Sequence, residues 1–156
     1  MSNSQHEFFM RSALEQACIA ESLGEVPIGA VVVRDNQIIA TGHNRRIIDS
    51  DPTAHAEIIA IRSAARVVGD WRLSGCTLYV TLEPCPMCAG AIVLARIDRL
   101  VYGASDPKAG AVETLYQICS DERLNHRVEI ISGILANECA QIISKFFQRQ
   151  REMGKK

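Results

Sequence analysis

The sequence predicts an α/β sandwich built on a mixed sheet of five strands. Two observations lead to this fold class: a pair of short apolar, β-branched runs near the start, and then an alternation of helical and strand patterns to the end of the chain. The chain has 156 residues, of which 47% are hydrophobic and 22% charged, without repeats or low-complexity tracts. A chain of this length buries about two-thirds of its unfolded surface without disulfide staples, so one domain over residues 1–156 is predicted.

The first half of the chain predicts a helix, a hairpin and a second helix. Ser4 to Glu7 predicts a capping box. It begins a helix that ends near Gly24 and that buries Phe9, Ala13, Ala17 and Ala20. Residues 28–33 and 37–43 predict the strands of a hairpin that turns at residues 34–36. A second helix is predicted to begin at Asp51-Pro52-Thr53, to end at Gly69 and to bury Ala54, Ile58, Ile61, Ala65 and Val68.

The second half continues the alternation. Residues 77–82 predict a strand, and Pro86 lies at the start of a helix that reaches about Ala95. Residues 99–102 and 128–131 predict two short strands with a further helix between them. The last helix is predicted to bury Leu135, Cys139, Ile142 and Phe146.

The charge is balanced overall but uneven along the chain. A formal net charge of −1 gives no global basic field of the kind that attracts nucleic acid. From Lys145 to Lys156, five basic residues stand against one acid, which fits either RNA contact or cations that complement a helix end. The first residues lack a secretory pattern, and the apolar stretch Met87–Ala95 is too short to cross a bilayer. A cytoplasmic location is therefore expected.

Six cysteines suggest metal binding or burial rather than disulfides in such a compartment: Cys18, Cys76, Cys85, Cys88, Cys119 and Cys139. Cys18 and Cys139 fall at apolar positions of helical patterns and are predicted to lie in the core. Cys85 and Cys88 have ligand spacing at the start of a helix, where thiolates are stabilised. Taken alone, the pair fits a redox site, half of a structural zinc site or half of a catalytic one.

His55-Ala56-Glu57 lies thirty residues upstream, at the start of the second predicted helix. Both helices follow a β element closely, so both of their N-termini can meet at one edge of the sheet. One nitrogen and two sulfurs suit tetrahedral zinc. With a fourth ligand from His43, Cys76, Cys119 or His126 the site is structural. With an open position the ion activates water, and Glu57 can take up its proton.

These motifs resemble the signature of zinc-dependent nucleobase deaminases, H-x-E followed by P-C-x-x-C. The longer blocks 51–57, 78–91, 125–130 and 138–147 are similar to the bacterial tRNA adenosine deaminase family, and the resemblance covers nearly the whole chain. It implies a cytidine deaminase-like three-layer α/β/α sandwich. It also implies a cytoplasmic homodimer with one zinc ion per subunit and no organic cofactor. The implied reaction is hydrolytic deamination of adenosine to inosine at the wobble position of a tRNA anticodon.

The resemblance also implies roles for individual residues. His55, Cys85 and Cys88 hold zinc, and Glu57 carries protons from the activated water to the adenine and to the leaving ammonia. The implied contacts to the RNA substrate are Asn44, Ala54, Ile28, Asp106, Lys108, His126, Phe147 and Arg149. Purely structural interpretations stay open for two of these sites, because Asn44 also fits a turn and residues 106–110 also fit a surface loop. Glu113 departs from the family pattern and adds negative charge near the expected RNA path.

Two alternatives share part of this pattern. A zinc deaminase of a free base or nucleoside, of the guanine or cytosine type, would use the same catalytic residues. A zinc-stabilised module for RNA binding or dimerisation would keep the metal ligands but would leave Glu57 without a role.

Overall fold

The computed structural model describes residues 1–154, so Lys155 and Lys156 of the basic tail lie outside the described residues. The helices and strands are α1 Asn3–Ser22, β1 Gly29–Arg34, β2 Gln37–His43, α2 Ala56–Val68, β3 Cys76–Leu82, α3 Pro86–Leu94, β4 Arg99–Ala104, β5 Glu129–Ile131 and α4 Ala136–Glu152. This order matches the predicted sequence of elements except between β4 and β5.

The predicted helix between β4 and β5 was wrong. This stretch is a loop whose only regular element among the described residues is a short 3₁₀ turn, Ile118–Ser120. The backbone N–H groups of Val112, Glu113 and Thr114 donate to the side chain of Glu83 instead of to backbone carbonyl oxygens within the segment, which removes the hydrogen bonds that a helix needs.

The five strands form one mixed sheet in the order β2-β1-β3-β4-β5. Strand β1 runs antiparallel to β2 and β3, whereas β3, β4 and β5 are parallel. The hairpin between β1 and β2 turns at Asp35 and Asn36, with φ of 52° and 61°. Two positive φ values are what a type I′ turn requires, and Asn and Asp tolerate them.

Helices cover both faces of the sheet, which confirms the predicted three-layer sandwich. On one face, α2 and α3 pack over a core that includes Ala60, Leu78 and Ile92. On the other, α1 and α4 pack over Phe9, Tyr79 and related side chains. Because α2 and α3 belong to the same layer, their N-terminal ends lie on the same face of the sheet.

Two helices begin elsewhere than predicted. The capping box of α1 is formed by Ser2 and Gln5: the Gln5 N–H donates to the Ser2 hydroxyl, and the Ser2 N–H donates to Gln5 Oε1 at 2.9 Å. Helix α2 begins at Ala56 because Asp51 accepts hydrogen bonds from the N–H and the hydroxyl of Thr53, which hold residues 51–53 in a turn. His55 thereby becomes the N-cap residue of α2.

The face of α2 that lies against the sheet consists of small residues, whereas the longer side chains predicted to be buried are partly exposed. Ala56, Ala60 and Ala64 are fully buried. A Cβ at Gly42 of β2 would come within 2.3 Å of the Ala56 carbonyl oxygen, so the helix and the strand touch backbone to backbone. This close approach requires alanine and glycine at the contact.

The six cysteines are all free thiols. Cys139 is buried as predicted, but the burial predicted for Cys18 was wrong, because the inward face of α1 passes through Ala17 and leaves Cys18 exposed. Within residues 1–154, no helix is both long and apolar enough to cross a membrane.

Candidate active site

Three potential metal ligands converge where α2 and α3 begin. His55 and Cys85 are the N-cap residues of the two helices, both with extended backbone, and Cys88 lies in the first turn of α3. The Nδ1 atom of His55 lies 3.6 Å from the Cys85 sulfur and 3.5 Å from the Cys88 sulfur. This is the one cluster of three or more His, Cys or acidic side chains with metal-binding geometry within residues 1–154.

The spacing of these atoms fits a tetrahedral zinc ion. Zinc lies about 2.3 Å from sulfur and about 2.0–2.1 Å from nitrogen, and tetrahedral angles then separate the two donors by about 3.5 Å. Cys85 and His55 are partly exposed, and Cys88 is buried. His43, Cys76, Cys119 and His126 lie outside the cluster. Three protein ligands and one open position are typical of a catalytic zinc site.

The electrostatics of the thiols also favour a cation. The pKa of Cys85 is lowered to about 4, chiefly because Cys88 donates a hydrogen bond to its sulfur and also because His55 lies beside it. The same hydrogen bond raises the pKa of Cys88, and burial raises it further. A bound divalent cation can take the place of the proton that Cys88 donates to Cys85.

Glu57 places a buried carboxyl group beside this cluster. It lies in the first turn of α2 and is 4% exposed. Burial raises its pKa to about 7, against the opposing effect of its backbone hydrogen bond and of His55. Two residues this close on one helix normally diverge, but His55 precedes the helix, so both side chains reach the same cavity. A carboxyl group with a pKa near neutrality can both accept and donate a proton.

A cavity of about 490 Å³ opens onto this cluster. Its lining includes eight of the residues proposed from sequence: Ile28, Asn44, His55, Glu57, Cys85, Asp106, Lys108 and Phe147. Asn44 is 2% exposed, and its side-chain oxygen accepts the N–H of Ala56 at 2.9 Å, which joins the pocket wall to the start of α2. The cavity therefore carries two of the three metal-ligand candidates, His55 and Cys85, and a few fixed polar groups in its lining.

Comparison with known proteins agrees with this geometry. A family model for MafB19-like deaminases matches residues 4–151. The tRNA-specific adenosine deaminase of Bacillus subtilis is 49% identical over 97% of this chain and 94% of its own length. That of Haemophilus influenzae is 55% identical over 96% of this chain and 87% of its own length.

The chain belongs to the tRNA-specific adenosine deaminase family. A solved structure from a study of A-to-I editing by tRNA:A34 deaminases superposes with a TM-score of 0.84 at 50% identity, over 86% of this chain and 98% of the other. The family and the cytidine deaminase-like fold predicted from sequence are thus confirmed.

The remaining sequence candidates of this deaminase lie outside the cavity. Ala54 is buried beside His55, and its carbonyl accepts the N–H of Arg45. His126 Nε2 donates a hydrogen bond to the carbonyl oxygen of Ile97 at 2.7 Å. Arg149 forms an ion pair with Glu21 on α1. The structure therefore does not bring His126 or Arg149 to the metal cluster.

Helix α4 supplies a wall of the pocket, of which the sequence-based candidates included only Phe147. Ala140, Ile143, Ser144 and Phe147 follow the helical spacing and line the cavity together. The residues predicted to face inward, Cys139 and Phe146, belong to the neighbouring stripe, which packs on the sheet. The amphipathic pattern could have revealed this second stripe, because it repeats the same spacing one residue along.

Two further cavity residues had no role in the sequence-based interpretation. Arg46, two positions after Asn44, contributes a positive charge to the lining. Glu83 directly precedes Pro84 and Cys85. Glu113, the departure from the family pattern, accepts a hydrogen bond from the buried Tyr102 hydroxyl. Burial, and then this bond, raise the pKa of Tyr102. The Glu113 carboxylate is thus directed to a partner within the protein.

Proposed function

We propose that this protein deaminates adenosine to inosine at the wobble position of a tRNA anticodon. The observation that carries the proposal is the cavity in which a His-Cys-Cys cluster and a buried glutamate meet, in a chain about half identical to named tRNA-specific adenosine deaminases. The reaction consumes water and releases ammonia.

We propose that His55, Cys85 and Cys88 hold one zinc ion per subunit. When bound, zinc supplies a polarised water as the nucleophile. Glu57 accepts a proton from the attacking water and delivers it to N1 of the adenine, which makes C6 electrophilic. Glu57 then takes the second proton of that water from the hydroxyl group now on C6 and delivers it to the amino group, which leaves as ammonia as the C6 carbonyl of inosine forms. Its pKa of about 7 suits a group that must be both base and acid in turn.

The pocket residues supply the binding of an extruded nucleoside. A base inside a helix or stacked loop is out of reach, so the enzyme must take the nucleotide out of the stack. Asn44 is proposed to hydrogen-bond it, Ile28 to pack against it, and Asp106 and Lys108 to contact the flanking nucleotides. Ala54 lies beside His55 but does not line the cavity, so its proposed contact is through the second lone pair of its carbonyl oxygen, which already accepts the N–H of Arg45. Phe147 is 41% exposed at the cavity wall and is available for stacking.

The outer candidates belong to the RNA beyond the extruded nucleoside. Because His126 and Arg149 lie outside the cavity, their proposed contacts are with the anticodon loop and stem rather than with the reacting base. Arg149 would exchange its exposed ion pair with Glu21 for a phosphate, and this costs little because exposed pairs contribute at most about 1 kcal/mol.

We also propose that residues 1–156 act as one deaminase domain and that the enzyme works in the cytoplasm as a homodimer. The resemblance to the family supports this assembly, as do large apolar side chains left on the surface, such as Val67 (61% exposed) and Leu94 (69% exposed). Sedimentation equilibrium of the purified protein tests it, and a monomer at micromolar concentration would contradict it.

The test of the function uses a synthetic anticodon stem-loop with adenosine at the wobble position. Mass spectrometry of the product loop is expected to show one inosine at that position, and metal analysis to show one zinc per chain. Free adenosine and guanine serve as controls and should react poorly. Equal turnover of a free base would favour the alternative, a deaminase of free bases or nucleosides. An absence of inosine at full zinc occupancy would favour a non-catalytic RNA-binding module.

A further inference from the structure

Glu83 carries a buried carboxylate to which the mechanism above gives no task. It follows the last residue of β3 and precedes Pro84 and the metal-ligand candidate Cys85. The residue is only 2% exposed. A buried carboxylate is costly unless its oxygens are fully hydrogen-bonded, so the identity of its partners shows what the group holds in place.

Every hydrogen bond to this carboxylate comes from one loop. Oε1 accepts the N–H of Asp106 at 3.1 Å and the hydroxyl of Thr114. Oε2 accepts the N–H groups of Val112, Glu113 and Thr114, at 3.2, 2.8 and 3.0 Å. An ionised carboxylate has about four lone-pair sites, so these donors saturate it.

The loop also lies tightly against this side chain. A Cβ at Gly110 would come within 2.4 Å of Glu83 Oε1. Two backbone hydrogen bonds extend the attachment to either side. The Glu83 N–H donates to the Ala104 carbonyl at 2.8 Å, and the Ala111 N–H donates to the Pro84 carbonyl at 2.9 Å. Residues 104–114 are therefore bound to the segment that ends in Cys85.

The same loop lines the pocket together with the metal-ligand candidates His55 and Cys85. Asp106, Pro107, Lys108 and Ala109 all line the cavity. The carboxylate of Glu83 thus connects the wall that meets the substrate with the segment that carries Cys85.

We infer that Glu83 is a positioning residue of the deaminase, which holds the loop 105–114 at a set distance from the metal-binding segment. This inference rests on the proposed function. Because its oxygens are occupied by loop donors, Glu83 acts through the loop and not by contact with the substrate. Loss of the attachment should weaken binding of the RNA, since a loop that is no longer held in place must be ordered again each time the substrate binds.

Three substitutions grade the attachment. Glu83→Gln keeps the size of the side chain but replaces one acceptor oxygen with a donor, so that two or three loop donors face a donor. Glu83→Asp keeps both acceptors and the charge on a shorter side chain. Thr114→Val, at an exposed position, removes one hydroxyl donor and keeps the backbone N–H. We expect the loss to increase from Thr114→Val through Glu83→Asp to Glu83→Gln.

The first measurement separates KM from kcat for the stem-loop substrate with zinc-loaded enzyme. In Glu83→Gln, KM is expected to rise at least about tenfold while kcat stays within about threefold, the pattern of lost uniform binding. Zinc content is expected to remain one per chain.

The matched control is Tyr79→Phe. It removes another buried hydrogen bond, between the Tyr79 hydroxyl and His6 Nδ1 at 2.8 Å, on the face of the sheet that carries α1. Both variants are assayed well below their unfolding midpoints. A merely structural role for Glu83 predicts equal KM values for the two variants, whereas a positioning role predicts that KM rises only in Glu83→Gln.

The second measurement is hydrogen exchange of the loop amides, which needs no activity. The N–H groups of Val112, Glu113 and Thr114 are expected to exchange faster in Glu83→Gln than in the wild type and in Tyr79→Phe. Faster exchange with an unchanged KM would overturn the positioning role, and so would unchanged exchange. If Glu83→Gln does not fold, the same comparison is made with Glu83→Asp and Thr114→Val.

Failure of the proposed function would show in a different place. If the wild type forms no inosine, the function fails, and the Glu83 inference is then judged by the Kd of the stem-loop. A Kd that is unchanged between the wild type and Glu83→Gln would overturn it.

Discussion

Glu57→Gln tests the proton chemistry most directly, because it changes the acid and little else. The side chain is 4% exposed, and glutamine has the same shape, so the substitution leaves no cavity. Proton transfer by one positioned group contributes about 10²–10⁴ in rate, and Glu57 is proposed to serve two transfers. We therefore expect kcat to fall by at least about 10³-fold, or about 4 kcal/mol of transition-state stabilisation.

The assay is inosine formation in the stem-loop under single-turnover conditions, with zinc measured in the same sample. Glu57→Gln should keep one zinc per chain because it is not a ligand. His55→Ala is the control, and it should lose both zinc and activity because it removes one of the three proposed ligands. The two inactive variants are then distinguished by their metal content.

The raised pKa of Glu57 also predicts how the free energy of unfolding of the zinc-free protein depends on pH. The folded chain raises this pKa from 4.5 to about 7 through burial. Between these values the folded state binds more protons than the unfolded state, so stability falls as the pH rises through this window. Glutamine does not titrate, so zinc-free Glu57→Gln should be the more stable protein at pH 8, by at most about 3 kcal/mol at 1.4 kcal/mol per pKa unit. The difference should shrink towards pH 4.5.

The reasoning is refuted if Glu57→Gln, at full zinc occupancy, retains more than about a tenth of the wild-type kcat, because a positioned general acid–base typically contributes about 100-fold or more. A zinc-free variant that is no more stable than the wild type at pH 8 would refute the burial argument separately.

Three further predictions follow from packing and metal binding. Gly29→Ala should lower the unfolding free energy by about 3 kcal/mol or more, since its Cβ would lie 2.0 Å from a carbonyl oxygen of α1; Gly90→Ala, with nothing within 4 Å, should leave the Tm unchanged or higher. Denaturant titration of both variants compares them. Phe146→Ala should lower the free energy of unfolding by about 3–5 kcal/mol, because Phe146 is 7% exposed. Phe147 is 41% exposed, so Phe147→Ala should lower it by less than about 1 kcal/mol and should raise KM for the stem-loop. Equal effects of the two on Tm would contradict the orientation of α4. Chelation of zinc should abolish activity and lower the Tm, and added zinc should restore both; a Tm indifferent to zinc would argue against metal binding at the His55 cluster.

Local patterns were sufficient for most elements of the fold. The hairpin turn at Asp35-Asn36, the stop of α2 at Gly69 and the start of α3 at Pro86 all follow from the backbone preferences of those residues. The predicted position of the capping box was wrong because two similar patterns, Ser2 to Gln5 and Ser4 to Glu7, overlap within the first seven residues. Only the folded N-terminus shows that Ser2 is the N-cap residue.

The failures lie where a distant group competes with local preference. The loop 105–128 is not helical because Glu83, far away in sequence, accepts the N–H groups that a helix would pair internally. Cys18 is exposed because the contact of α1 with the sheet passes through alanines, and at Gly29 the strand backbone approaches Ala13 and Ala17 directly. No periodicity in one segment reveals which residues of another segment leave room for it.

The sequence by itself determined the chemistry of the site. The combination of one histidine, two cysteines and one glutamate predicts a zinc site with a proton carrier, because donor type is a property of the residues themselves. Only the tertiary structure decided which side chains share the cavity: it brought in the second stripe of α4 and the Glu83 attachment, and it left Arg149 paired with Glu21. The physical reason is that residue chemistry is local, whereas distance and burial depend on how separate segments pack.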